Sequence, residues 1–167
     1  AALESYAAGD YAGAVQGFTR ADRLRASPAL AFNIAKAYEQ QGDVSHALAY
    51  YREYLRRDAG ARDRKPVELK IVRLAARLAQ RGVQQVSFLA PTAGVLVSVD
   101  SEPVGAAPVT LDLQPGRHRV VFTKAGLEPA EVDFELERNQ PLDVVAQLEP
   151  RQSSSLIAAA PTALPEP

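Results

Sequence analysis

Two stretches decide the fold: GDYAGAVQGFTRA at residues 9–21 and GDVSHALAYYREY at residues 42–54. Set one under the other, Gly9, Ala14, Phe18 and Ala21 are matched 33 residues later by Gly42, Ala47, Tyr51 and Tyr54. In each stretch a Gly-Asp pair ends one helix and opens the next, an Ala stands where two helices come closest, and an aromatic follows four residues on. Such a unit cannot bury its apolar face alone and does so by stacking on copies of itself. Helical periodicity places five helices at roughly 1–8, 11–25, 28–41, 44–58 and 66–81, with Gly9, Gly42 and Gly82 as stops.

The second unit, ALAFNIAKAYEQQGDVSHALAYYREYL (29–55), carries Ile34, Ala35, Tyr38, Gly42, Ala47, Tyr51 and Tyr54 in the register of a tetratricopeptide repeat, which it resembles. The separation is close to the ~34 residues of that family. The first unit is truncated, with only AALESYAA before Gly9, and Ala31 stands at the family's usual Trp. The resemblance implies a concave face lined by the first helix of each hairpin, here Phe32, Asn33, Lys36 and Gln40. Asn33 and Lys36 match positions that some members use to clamp a peptide carboxylate. The alternative is a hairpin pair that only packs, with Phe32 as core.

The last helix, within PVELKIVRLAARLAQRG (66–82), sets Val67, Ile71, Leu74 and Leu78 on one side, as suits a helix closing the end of a short stack. Its other side carries Lys70, Arg73, Arg77 and Arg81 at steps of three and four. That stripe reads as a site for an acidic peptide or terminal carboxylate, or as a solvated face, the commoner meaning of a charge run.

Beyond Gly82 the period changes to two. AEVDFELE (130–137) alternates Val132, Phe134 and Leu136 with carboxylates, LDVVAQLE (142–149) alternates in the same way, and Val95, Val97 and Val99 form a third face. LQPGRHRVVF (113–122) joins two strands through Pro115-Gly116, a pair suited to a type II turn. Short strands with one wet face each predict a small antiparallel sandwich. The residues Pro91 and Gly94, Val99-Asp100, Val104-Gly105, Pro108, Leu113, Pro115-Gly116, His118 and Ala125-Gly126-Leu127 stand in the order of the PEGA domain, which this half resembles. Ser101 takes the place of that family's turn Gly. The resemblance implies a β module of bacterial or archaeal surface proteins. Helical repeats followed by such a module are a recurring pairing in Gram-negative envelope proteins.

The expected architecture is thus α+β in two domains: a tetratricopeptide-like domain at 1–82, a PEGA-like β sandwich at 83–150, and a disordered Ser/Ala/Pro linker at 151–167. All six Tyr lie in the first half. Residues 1–82 carry 14 Lys and Arg against 9 Asp and Glu, residues 83–150 carry 4 against 10, and the halves should attract. No strongly basic domain marks a nucleic-acid binder. There is no Cys and no apolar run near the ~18 residues that span a bilayer. A start at Ala1, with no charged-then-apolar leader, suits a trimmed piece whose signal peptide or membrane anchor lies outside it.

Nothing in the chain assembles chemistry. His46 and His118 fall in different halves, Asp100 and Glu102 flank a turn, and Glu131, Asp133, Glu135 and Glu137 run along a strand at ~7 Å steps, too spread for one Ca²⁺. No catalytic, cofactor or metal residues are therefore expected. The sequence points to a non-enzymatic adaptor on the outer side of a bacterial inner membrane. It docks a protein partner through Phe32, Asn33, Lys36, Gln40, Lys70, Arg73 and Arg77. The rival is a cell-wall saccharide or surface-layer module in the β half, which has only Phe88, Phe122 and Phe134 to offer as an aromatic platform.

Overall fold

A computed structural model describes residues 1–138 and 142–151. The linker expected at 151–167 lies, from residue 152, outside the described residues. Five helices come first: α1 (Ala2–Ala7), α2 (Tyr11–Leu24), α3 (Pro28–Gln41), α4 (Val44–Arg57) and α5 (Arg64–Ala79). The Gly-Asp pairs act as two separate devices. Gly42 ends α3 in the left-handed region at φ 78, where its N–H and that of Asp43 donate to carbonyls of the last turn. Asp43 then caps α4, accepting from the His46 N–H at 3.1 Å, as Asp10 accepts from Gly13 at the start of α2.

The helices pack in chain order, each on the next. Ala14 and Ala47 are fully buried, Phe18 and Tyr51 almost or wholly so, as the repeat register requires. Ala14, Val15 and Phe18 meet Ile34 and Ala37 in one cluster; Ala31, Ala35, Ala47, Leu48, Tyr51, Val67, Leu74 and Leu78 form the next. Alternate helices are tied as well. Arg57 of α4 grips Asp22 of α2 with two bonds of 2.6 and 3.0 Å, and Lys70 of α5 reaches Glu39 of α3 at 2.9 Å.

Seven strands follow: β1 (Gln84–Leu89), β2 (Leu96–Val99), β3 (Glu102–Ala106), β4 (Val109–Leu113), β5 (Gly116–Thr123), β6 (Ala130–Leu136) and β7 (Leu142–Val145). They form two sheets, β4-β1-β7 and β3-β2-β5-β6. The core between them holds Val86 and Phe88 from the first and Val97, Val99, Val120, Phe122 and Leu136 from the second. The expected alternation in β6 and β7 holds.

Four features differ from the sequence expectation. The sandwich is not wholly antiparallel: β7 runs parallel to β1, with Val86 opposite Leu142, because the chain crosses between sheets after β6. The strand read over 142–149 stops at Val145, although Ala146 and Leu148 continue to face inward. Pro115-Gly116 does not link paired strands; it carries the chain from β4 in one sheet to β5 in the other, with Gly116 at φ 145.

The three-stranded sheet also lacks a wet outer face along β1. Gln85 and Ser87 are buried at 3% and 1% exposure, and α4 reaches Gln85 through Ser45 and Arg52. Gln85 donates to the Ser45 carbonyl at 2.8 Å and accepts from Arg52 Nη1 at 3.2 Å, while Arg56 stands 3.8 Å from Asp143 on β7. The attraction implied by the charge asymmetry thus meets a hydrogen-bonded seam.

Candidate functional site

The odd-numbered helices α1, α3 and α5 share one side of the stack, and most of the candidate residues are placed there. Lys36 projects from α3 with Nζ 5.4 Å from the Tyr6 ring centre and 6.0 Å from that of Phe32, a cation held against two aromatic faces. Among the described residues no carboxylate pairs with it and none hydrogen-bonds the Asn33 side chain. Gln40, one turn on, is exposed. Phe32 is half-buried, edge-on to Tyr51 at 5.8 Å and Tyr54 at 5.2 Å, so most of its ring belongs to the core.

The basic stripe does not act as one unit. Lys70 donates to both carboxylate oxygens of Glu39, at 3.1 and 2.9 Å, and its Nζ lies 5.5 Å from the Tyr51 ring centre. Tyr51 donates to the same carboxylate at 2.5 Å. Burial works against the Glu39 charge, but the bonds from Tyr51 and Lys70 outweigh it and hold its pKa below the ordinary carboxylate value. The same arrangement, led by burial, pushes the Tyr51 hydroxyl far up. Lys70 is therefore a neutralised structural cation, and the stripe leaves Arg73, Arg77 and Arg81 exposed, with Arg73 hydrogen-bonded among the described residues only to the Leu69 carbonyl of its own helix.

Glu39 and Tyr6 are the two groove residues that sequence reasoning left out. Helical spacing from Phe32 and Lys36 runs on to Glu39, which was enough to put it on that face. Its partner Lys70, 31 residues away, is a tertiary fact.

In the β half the polar groups gather around the β2–β3 turn. Asp100 and Ser101 both adopt positive φ, 50 and 74, the geometry of a tight two-residue hairpin. Asp100 tolerates it because its N–H donates to the Arg119 carbonyl at 2.8 Å and its Oδ1 accepts the Arg119 N–H at 2.9 Å. His118 places Nδ1 2.7 Å from Asp100 Oδ2 and Nε2 2.8 Å from the Gln114 carbonyl. Both ring nitrogens thus face acceptors. Burial opposes the imidazolium, but these two bonds prevail and raise the His118 pKa above its ordinary value. Asp100 is lowered, first by the Arg119 N–H and then by His118. Residues 90–152 match the PEGA domain.

The match begins just after β1, so the middle strand of the three-stranded sheet comes from residues ahead of the PEGA segment. PEGA domains occur in exported proteins. The chain matches no curated protein. Among the described residues no helix is long and apolar enough to cross a membrane.

Within the PEGA region the carboxylate row is a solvent face, Asp133 being bonded to Arg119 at 2.7 and 3.0 Å. A concavity lined by Asp100, Arg117, His118, Arg119, Asp133, Phe134 and Glu135 has its main charges already paired. Phe88 and Phe122 are buried, and Phe134 packs on Phe88 at 6.0 Å and His118 at 5.5 Å, so none presents an open ring face for a sugar.

Proposed function

We propose that this protein is a non-enzymatic adaptor of the bacterial cell envelope, whose tetratricopeptide-like half docks a protein partner while its PEGA domain anchors that half among surface components. The observation that carries the reading is the side formed by α1, α3 and α5, where Lys36 stands without a carboxylate between the Tyr6 and Phe32 rings, beside an unbonded Asn33 amide. A cation whose head is held beside two aromatic rings and has no carboxylate partner has little freedom left to lose on meeting an anion. An acidic peptide or a terminal carboxylate is the ligand this chemistry fits. The 33-residue register and the buried Ala14 and Ala47 support the repeat assignment, and the PEGA match supports the exported setting.

The test uses the whole chain as bait for envelope extract, with Lys36→Glu alongside. Capture that is lost on charge reversal and weakens with salt supports docking at this face. Capture that survives Lys36→Glu and is competed by cell-wall saccharide would replace it with saccharide binding by the β half.

A further inference from the structure

α5 ends the helical stack with one face uncovered. The side it turns to α4, Val67, Ile71 and Leu74, has the spacing of the side that α3 turns to α2, Leu30, Ile34 and Ala37, at an offset of 37 residues. That offset sets Leu69 and Val72 where α3 carries Phe32 and Ala35. On α3 those two are covered by α4: Ala35 is fully buried and Phe32 meets Tyr51 and Tyr54. On α5 no helix of the described residues takes the place of that covering helix, because the chain leaves α5 to become β1. Leu69 and Val72 are 62% and 65% exposed, and Ala76 lies exposed one turn further along the same stripe.

The flanks of the stripe differ in charge. Toward the groove run the exposed Arg73 and Arg77, neither paired with a carboxylate among the described residues; Glu39, the nearest candidate, is taken up by Lys70 and Tyr51. Glu68 on the other flank is held by Arg64 at 3.1 Å. We propose that this open end of the stack is a docking site for an amphipathic helix of a protein partner, its apolar stripe covering Leu69, Val72 and Ala76 and its acidic flank meeting Arg73 and Arg77. A second copy of α5 paired antiparallel fits poorly, since the twofold brings each arginine flank against its own copy. The chain's own residues 152–167 carry a single acidic residue, Glu166, and cannot supply the flank. The inference rests on the helical half being an interaction surface but uses residues other than the Lys36 groove.

Two synthetic helical peptides of about 18 residues, five turns, test it: one Leu/Ala stripe flanked by Glu, the same stripe flanked by Lys. Both are titrated into the whole chain and followed by fluorescence anisotropy. The Glu peptide should bind about tenfold or more tightly than the Lys peptide, a gap that narrows in high salt. Arg73→Glu with Arg77→Glu should invert the preference, Leu69→Ser with Val72→Ser should abolish both, and Lys36→Glu should change neither. As the Leu69 and Val72 side chains are exposed, an unchanged circular dichroism spectrum confirms that the variants fold. Equal binding of the two peptides, or binding that survives the double Ser change, overturns the proposal. Loss in Lys36→Glu would move the peptide to the groove, and a dimer in sedimentation that Leu69→Ser dissolves would make the occupant a second copy; either result refutes the site as stated.

Discussion

Arg52 is one of the residues through which the helical half meets the β half, and replacing it probes that coupling. Its Nη1 reaches Gln85 twice, Oε1 at 3.2 Å and the carbonyl at 3.4 Å. Burial lowers its pKa, the nearby Arg56 charge adds to this, and Asp143 and Asp112 oppose it without forming a close pair. Hydrogen bonds from a charged donor contribute about 1.5–3 kcal/mol each. Two long bonds sharing one nitrogen amount to about one at the low end, so Arg52→Ala should cost about 1.5 kcal/mol. Arg52→Met should cost less, since it keeps the stem and removes a half-buried charge with no close carboxylate. If the halves unfold together, the loss lowers Tm by roughly 3–6 °C for a chain of this size. Because every Tyr lies in the helical half, tyrosine fluorescence follows that half while amide signals of β2, β5 and β6 follow the other. The wild-type transitions should coincide and those of Arg52→Ala should separate, with the fragment 83–150 keeping a cooperative β spectrum of its own. Coincident transitions at an unchanged Tm in Arg52→Ala would refute the coupling role.

Three further outcomes are expected. Ala47→Leu, at a fully buried helix contact, should overpack it and cost about 1–3 kcal/mol in urea unfolding; a neutral result would break the repeat register. His118 has a raised folded pKa and Asp100 a lowered one. The His118 contribution is complete below its unfolded value near 6.5 and lost as pH rises through the folded value, and the Asp100 contribution is lost only on acidification below about 4. Stability of the β half should therefore rise from pH 8.5 to 6, a slope that His118→Gln removes. Ser101→Gly should stabilise that half by roughly 0.5–1 kcal/mol, because Ser101 is held at φ 74 where Gly is at ease; a loss of stability would show that the Ser side chain supports the turn.

Local chemistry settled much of this protein from the sequence. Gly42 and Asp43 stop and start helices by bonds to residues within five positions, and the inward set Val132, Phe134 and Leu136 follows from the pleat of one strand. Helix number, the faces of β6 and β7 and the change of architecture past Gly82 were legible for that reason. Contacts between distant residues were not. That Lys70 is consumed by Glu39, that Tyr6 stands beside Lys36, that β7 runs parallel beside β1, and that α4 bonds to Gln85 all depend on which elements become neighbours. A charge on a helix face looks the same in sequence whether a carboxylate 31 residues away meets it or not, and only packing in three dimensions makes that choice.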